Sequence, residues 1–175
     1  MGGGGGVAVV GRAAKGWQVD STARFGPNVV SFLLTLGARL WYVVGAYVNP
    51  NDAPDIHSVD KDLRASPKGL DMVLMGDLNA RPGDPHDKRE EDLATALADR
   101  DLVNMTDYFL PRRRYRGESR WTWSMQREGR RATGKGDYIL SIDMPIFTNV
   151  GLRETRHGTD QRMIVAVLLG KGCAM

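Results

Sequence analysis

The sequence predicts a mixed α/β (α+β) sandwich, in which two mostly antiparallel β-sheets pack face to face and helices flank them. Short apolar runs rich in β-branched and aromatic residues recur along the chain and mostly follow one another in pairs, as antiparallel strands do. Two amphipathic segments interrupt these runs. The 175 residues contain no internal repeat and no convincing domain boundary, and this length suits one domain.

The N-terminal part gives the weakest pattern. Residues 1–6 are nearly pure glycine and are expected to be disordered. Residues 7–10 (VAVV) are predicted to form a short strand, and residues 11–26, which contain turn formers, a hairpin-like excursion. We expect one domain over residues 7–170, which opens on this strand with no lead-in.

The next segments give clearer patterns. Residues 29–36 and 39–48 are apolar runs separated only by Gly37-Ala38, which predicts two strands in a tight hairpin, covered on both faces. Residues 55–65 have apolar side chains at helical spacing, which predicts a helix. Residues 71–75 (DMVLM) are an apolar run of the length expected for a buried strand.

The second half of the chain alternates one helix with several predicted strands. Asp87 and Glu90 have capping-box spacing for a helix over residues 88–98. A turn followed by this cap explains Asp84, His86 and Asp87 better than a metal site does. The remaining predictions are a short strand or connector (101–110), an aromatic strand (121–125), a glycine-rich basic loop (128–136) and strands over 137–141, 146–152 and 163–169.

Composition excludes some classes of protein. Hydrophobic content of 42% and charged content of 26% are typical of globular domains. The single cysteine, Cys173, cannot form an intrachain disulfide, so a reducing compartment is permitted. No apolar run reaches membrane-spanning length, and no secretory signal is visible at the N-terminus.

Charge is distributed unevenly along the chain. Residues 112–136 contain nine Lys or Arg and two Glu, which leaves 15 basic and 19 acidic residues elsewhere. Such a segment favours an anionic polymer as partner, although a solvated basic surface is an equally good explanation of charge alone. The predicted nucleic-acid-binding residues are Arg112, Arg113, Arg114, Arg116, Arg120, Arg130, Arg131 and Lys135.

The polar turn after residues 71–75 is the strongest functional signal. Gly76-Asp77-Leu78-Asn79 follows the apolar run directly. If the chain stays extended, Asp77 and Asn79 face the same side and can hold one ligand, which Gly76 lets the backbone approach closely. The alternative is that both side chains only make Asx-type hydrogen bonds in the turn.

Two further aspartates are predicted at strand ends. Asp137 opens one predicted strand and Asp160 precedes another, as Asp77 follows one. Because Mg²⁺ prefers a few carboxylate oxygens together with water and substrate phosphate, these aspartates, Asn79 and the basic segment predict a phosphodiester site. Each aspartate can also be explained structurally, by bonds to loop amides or by capping a turn.

Four motifs in chain order resemble the endonuclease/exonuclease/phosphatase superfamily, whose fold is deoxyribonuclease-I-like. They are GDLNA at 76–80, TW within 121–124, GDYIL at 136–140 and GTDQ at 158–161. Within that superfamily, the strongest likeness is to the endonuclease domain of LINE-type (non-LTR) retrotransposons. Tyr47-Val48-Asn49-Pro50 is similar to the motif that precedes the family's GDFN element. The resemblance covers residues 7–169, the later part of such a domain.

The resemblance implies Mg²⁺-dependent (or Mn²⁺-dependent) hydrolysis of DNA phosphodiesters. It implies that Asp77 orients or deprotonates the attacking water, that Asn79 holds this water or a phosphate oxygen, and that Tyr47 hydrogen-bonds the phosphate. Asp137 would support the metal region, and Asp160 would bind metal or pair with the histidine that follows it. The implied metal ligands are Asp77 and Asp160, and the implied catalytic set is Tyr47, Asp77, Asn79, Asp137, Asp160 and Gln161.

Two departures from the family pattern predict weak or lost activity. Family members begin earlier, with a strand that carries an asparagine and a segment that carries a metal-binding glutamate. Both residues are absent here, so the resemblance implies a partial domain over residues 7–170, incomplete at its N-terminal edge. In addition, the histidine of the terminal SDH element is Gln161 here. Glutamine cannot become cationic or transfer a proton near neutral pH.

Two alternatives to a DNA endonuclease stay open: a catalytically inactive nucleic-acid-binding remnant, and a small-molecule phosphoesterase of the same superfamily. The expected partners are DNA, with RNA as a second candidate, and the rest of a retroelement polyprotein. No membrane association is expected, and family analogy implies an intracellular, nuclear location.

Overall fold

The computed structural model describes most of the first 109 residues and several later segments. The described residues are 7, 17–36, 38–50, 54–81, 85–109, 123–127, 130–134, 136–142, 147–154 and 162–168. The disordered start predicted over 1–6 lies outside them, as does the predicted first strand except for Val7, which is not in a strand.

Ten strands and three helices occur within these described segments. The strands are β1 (Trp17–Gly26), β2 (Val29–Leu36), β3 (Arg39–Tyr47), β4 (Asp71–Asp77), β5 (Val103–Asn104), β6 (Trp123–Arg127), β7 (Arg130–Gly134), β8 (Asp137–Ser141), β9 (Phe147–Glu154) and β10 (Arg162–Leu168). The helices are α1 (Pro54–Ala65), α2 (Lys88–Ala98) and α3 (Met105–Phe109).

Six strands form one sheet in the order β1-β2-β3-β4-β8-β5. All its neighbours are antiparallel except β3 and β4, which are parallel and are connected through α1. The mixed α/β class is therefore confirmed. Strands β6 and β7 form one separate two-stranded sheet and β9 and β10 another, so the second sheet of the sandwich stays a prediction.

The central strands are covered on both faces, as their continuous hydrophobicity predicted. Along β3, residues 41–46 are all buried. The face under α1 and α2 carries Tyr42, Val44, Met72 and Leu74, which pack against Ile56, Val59 and Leu63 of α1 and Leu93 and Leu97 of α2. On the opposite face, Phe32, Trp41, Val43, Val73 and Ile139 pack with Met105 and with Val150 of β9.

The local patterns predicted several elements well. The β2–β3 hairpin has Leu36 paired with Arg39, as a two-residue connection requires. Helix α2 begins after Asp87, whose Oδ1 accepts the Glu90 N–H at 2.8 Å. The helix cap predicted for Asp87 is therefore confirmed, and its carboxylate needs no metal.

Two local predictions were wrong, and a third was right only in part. Residues 17–26, expected to belong to a hairpin-like excursion, form the single strand β1, which pairs with β2. The expected loop over 128–136 contains the strand β7, which pairs with β6 along its whole length. This pairing outweighs the low intrinsic strand preference of glycine. Of the two alternatives for residues 101–110, the short strand is confirmed by β5, while the short helix α3 that follows it was not predicted.

No helix among the described segments is long and apolar enough to cross a membrane.

Candidate active site

Three of the predicted site residues lie side by side at one end of the six-stranded sheet. Tyr47 is the last residue of β3, Asp77 is the last of β4 and Asp137 is the first of β8. The register pairs Tyr47 with Asp77, and Asp77 with Asp137. Because paired residues project from the same face with Cα atoms about 5 Å apart, the three side chains form one row across neighbouring strands.

This row lies on the face of the sheet that is turned away from α1 and α2. Side chains alternate along a strand, so Asp77 shares a face with Val73, and Asp137 with Ile139. Both hydrophobic residues belong to the core on the side opposite the two helices. The polar row therefore lies on that face at the end of the sheet, next to this hydrophobic core.

The backbone ladder extends beyond the ends of the strands and holds the row in place. The Val48 N–H donates to the Asp77 carbonyl oxygen at 2.8 Å, and the Leu78 N–H donates to Gly136 at 2.7 Å. The loops on both sides of Asp77 are thus tied to their neighbours.

Asn79 meets Asp77 in a turn rather than on an extended strand. Strand β4 ends at Asp77, and Asn79 has a φ of 43°, in the left-handed region. The chain is therefore not extended at Asn79, and the condition for both side chains to face one side is not met. The Asx-type hydrogen bond that was the alternative is confirmed: the Asn79 N–H donates to Asp77 Oδ1 at 3.1 Å.

The side chain of Asn79 connects two loops of the site. Its Nδ2 donates to the Val48 carbonyl oxygen at 3.0 Å, and its amide also hydrogen-bonds the Asp77 carboxyl group. A carboxamide has only two N–H donors. Asn79 is therefore placed to hold the Asp77 carboxylate.

The Asp77 carboxyl group is half-buried, and burial raises its pKa above the ordinary value. The backbone and side-chain hydrogen bonds from Asn79 act in the opposite direction and limit the rise. A carboxylate with a raised pKa is a stronger proton acceptor, which suits a general base.

Glycines on either side of Asp77 are required by close contacts. A Cβ on Gly136 would lie 2.5 Å from Asp77 Oδ1 and 3.6 Å from Asn79 Oδ1. Gly76 has a φ of 145°, and a Cβ there would overlap the Ala46 carbonyl oxygen. Gly76 therefore allows β4 to approach β3, whereas the sequence suggested an approach to a ligand.

A buried carboxylate of α1 fixes the loop that follows Tyr47. Asp55 is 3% exposed, and its Oδ2 accepts Asn28 Nδ2 at 3.1 Å and the Asn49 N–H at 2.9 Å. The Tyr47 N–H donates to the Asn28 carbonyl oxygen at 2.9 Å. These bonds hold both the end of β3 and the start of its loop against the helix.

The sequence matches no protein-family model and no curated protein. Solved structures do match. The endonuclease domain of TRAS1, a telomere-specific non-LTR retrotransposon, is similar over 86% of this chain and 68% of that one, with a TM-score of 0.63 and 17% identity. An endonuclease/exonuclease/phosphatase family protein from Leptotrichia buccalis C-1013-b is similar over 87% and 62%, with a TM-score of 0.60 and 13% identity.

D. rerio TDP2 complexed with a single-strand DNA product is similar over 86% of this chain and 67% of that one, with a TM-score of 0.61 and 13% identity. The chain has the endonuclease/exonuclease/phosphatase fold. The resemblance drawn from the four motifs is thus confirmed at the level of the fold. The chain spans about two thirds of the length of these solved structures.

The residues present at this end of the endonuclease/exonuclease/phosphatase fold suit a magnesium ion. Asp77 and Asp137 occupy directly opposed positions on neighbouring strands, where two carboxylates repel unless a cation or donors compensate. Mg²⁺ is usually held by one or two carboxylates plus substrate phosphate, so this pair is sufficient in kind. The described residues contain no group of three or more potential ligands.

The other predicted site residues are not placed by the structure. Asp160 and Gln161 lie outside the described residues, as do Lys135 and the arginines at 112, 113, 114, 116 and 120. Arg130 and Arg131 lie on strand β7, within the segment that was expected to be a loop.

Sequence reasoning missed three residues that shape the site: Gly136, Asp55 and Asn28. Gly136 had a signal, because Gly-Asp occurs at 76–77 and again at 136–137, and the register places the two aspartates opposite each other. Asp55 and Asn28 had no signal, because their contact joins residues 27 positions apart.

Proposed function

We propose that this chain is a divalent-metal-dependent phosphodiesterase domain that hydrolyses DNA, and that its activity is weak because Gln161 stands where the family has histidine. The observation that carries the proposal is the row of Tyr47, Asp77 and Asp137 at one end of the sheet, with Asn79 on the Asp77 carboxylate. A base, a donor and an acidic pair on one surface are the groups that phosphodiester hydrolysis requires.

The fold neighbours support DNA as the substrate class. TRAS1 is described as a retrotransposon endonuclease domain, and TDP2 was solved with a single-strand DNA product. As part of the same proposal, the domain belongs to a retroelement polyprotein and acts in the nucleus. RNA is the second candidate ligand.

In the proposed reaction, Asp77 takes a proton from a water molecule as the water oxygen bonds to phosphorus. Asn79 holds the carboxylate in position, and the Tyr47 hydroxyl donates to a phosphate oxygen, where negative charge accumulates. The bond between phosphorus and the 3′ oxygen breaks, and that oxygen takes a proton. Because Gln161 cannot supply this proton, solvent must do so, which makes the step slow.

Asp77 and Asp137, together with Asp160 as the resemblance implies, would hold Mg²⁺ or Mn²⁺. When bound, the ion would supply positive charge next to the phosphate oxygens.

The test is nicking of supercoiled plasmid, which detects a single cut per molecule. We expect slow nicking with Mg²⁺ or Mn²⁺ and none after a chelator is added. Gln161→His should raise the rate by about 10²–10⁴-fold, since that is the usual contribution of a general acid or base. The double variant that also carries Asp77→Ala should be inactive, which excludes a contaminating nuclease.

Other results would support the alternatives. Binding of DNA with no cleavage, both in the wild type and in Gln161→His, would indicate an inactive nucleic-acid-binding domain. Hydrolysis of nucleotide or inositol phosphates without nicking would indicate a small-molecule phosphoesterase.

The basic segment, residues 112–136, is proposed to contact DNA phosphates. The affinity for DNA should then fall steeply with salt, since each phosphate contact contributes about −0.9 to the slope of log K against log salt concentration. Replacing Arg112, Arg113 and Arg114 by Gln should make that slope shallower. An unchanged slope would remove these arginines from the interface.

A further inference from the structure

Arg89 of α2 is a cationic side chain that hydrogen-bonds the backbone of Asn79. Its Nη2 donates to the Asn79 carbonyl oxygen at 2.7 Å. Its Nη1 is buried and has no hydrogen-bond partner among the described residues. A buried donor without a partner is unfavourable, because it has lost its hydrogen bonds to water. The guanidinium is therefore held in this place in spite of a free-energy cost.

Hydrogen bonds at the start of α2 fix the backbone around Arg89. Asp87 Oδ1 accepts the Glu90 N–H at 2.8 Å, and Glu90 Oε2 accepts the His86 N–H at 2.7 Å. Glu90 itself is 8% exposed. Arg89 lies between these two capping residues, so its backbone has little freedom.

The bond from Arg89 acts on the residue whose conformation sets the site. Asn79 is in the left-handed region, with a φ of 43°, which costs free energy for a residue that has a Cβ. In that conformation its N–H reaches Asp77 Oδ1 at 3.1 Å while its Nδ2 reaches the Val48 carbonyl oxygen at 3.0 Å. A charge-assisted bond to its carbonyl oxygen stabilises this geometry.

A direct contact with substrate is the competing explanation of an unpartnered guanidinium nitrogen. The Nη1 atom is closed to solvent, so a phosphate oxygen could not reach it without rearrangement of the loop. The geometry therefore favours action through Asn79.

We propose that Arg89 is a positioning residue, which holds Asn79 in its left-handed turn and thereby aims the Asp77 carboxylate. The catalytic part of this inference rests on the proposed function. The positioning part does not, because it concerns only hydrogen bonds within the chain.

The first test is independent of catalysis. In Arg89→Met, hydrogen exchange at the Asn79 amide should become at least about 10-fold faster, because its bond to Asp77 is lost. Exchange at Leu93 and Leu97, in the middle of α2, should stay unchanged and report that the helix is intact. Arg89→Lys, which keeps a cationic donor, should restore part of the protection. Equal protection of Asn79 in the wild type and in both variants would overturn the proposal.

The second test uses plasmid nicking, in the Gln161→His background if the wild type is slow. Arg89→Met should lower kcat by about 10²-fold, the loss expected from a misplacement of about 1 Å, and leave KM nearly unchanged. Arg64→Met is the matched control, because Arg64 on α1 binds only the exposed Asp60 and Asp99 carboxylates in the described segments. A rise in KM with unchanged kcat would instead indicate substrate contact and overturn positioning.

The two tests separate the two proposals. If no form of the protein cuts DNA, the proposed function fails, while the exchange result at Asn79 still decides whether Arg89 positions the turn.

Discussion

Asp62 and Asp77 are both aspartates whose pKa is raised by burial, but they lie in opposite surroundings. Asp62, on α1, is completely buried and accepts a hydrogen bond from the Tyr42 hydroxyl, which lies 2.9 Å from Ser31 Oγ. Burial also raises the pKa of Tyr42 to about 12. This cluster is closed to solvent on the helix side of the sheet.

Asp77 is only half-buried and lies at the end of the sheet, on the other face. Its surroundings contain the features that the Asp62 cluster lacks: the left-handed Asn79, a glycine in contact with its carboxylate, and a second aspartate opposite it. The comparison teaches that a raised pKa does not by itself mark a site. The two aspartates differ in their exposure to solvent and in the backbone conformation around their carboxylates.

The largest effect should come from removing the Asp77 charge. Asp77→Asn should lower plasmid nicking by about 10²–10⁴-fold, because it removes the proposed base. Asp62→Asn is the matched control, since it neutralises another carboxylate whose pKa is raised by burial, outside the site, and should leave nicking unchanged. A similar loss in both variants would mean that the comparison fails and that only folding was affected.

Gly136→Ala should have the next largest effect. The new Cβ would lie 2.5 Å from Asp77 Oδ1, so the carboxylate must move. Since a misplacement of about 1 Å can cost about 10²-fold in rate, we expect that loss in nicking. Thermal unfolding of the variant should show little change in stability, because the displaced atom is the end of a side chain. A large drop in Tm with activity preserved would contradict this account of Gly136.

Asp55→Ala should reduce stability more than activity. It leaves Asn28 Nδ2 and the Asn49 N–H without their acceptor, which costs about 1–3 kcal/mol in a buried position. The control is Asp60→Ala on the same helix, whose bond to Arg64 is exposed and should be worth under about 1 kcal/mol. Urea unfolding compares the two free energies, and equal losses would show that Asp55 does not brace the loop.

The smallest effect should be the pH dependence of Asp62. Its pKa in the folded state is raised above the ordinary value of 3.8, so the folded protein favours the protonated form. Its contribution to stability is therefore most favourable below about pH 4 and becomes unfavourable as the pH rises through the folded-state pKa. Relative to Asp62→Asn, the wild type should lose stability in urea unfolding as the pH rises above about 4. A difference that does not vary with pH would show that the hydrogen bonds from Tyr42 and Ser31 offset burial.

The sequence predicted elements whose signals are local. The signal for the β2–β3 hairpin is the two-residue gap between its apolar runs. The signal for the start of α2 is Asp87, three residues before Glu90. Strand β7 was missed because glycine and arginine are poor strand formers in isolation, while pairing with β6 decides the outcome.

The site was predictable only in part. The four motifs identified Asp77 and Asp137, but their direct opposition depends on the register of strands separated by 60 positions. The sequence left the arrangement of Asn79 open between an extended chain and an Asx-type turn, because alternation does not reveal where a strand ends. Arg89 carries no sequence signal, since its role comes from where α2 packs.

The most direct test of the central claim is whether the row of Tyr47, Asp77 and Asp137 binds a divalent cation as one site. Paramagnetic Mn²⁺ broadens NMR signals of nearby nuclei, so it can be added in trace amounts to the isotopically labelled full chain. We predict selective broadening of the amide signals of residues 47–48, 77–79 and 136–138, with the signal of Asp62 unaffected. The selective broadening should be lost in Asp77→Asn. Broadening that is absent from these three segments, or that persists unchanged in the variant, would contradict the account.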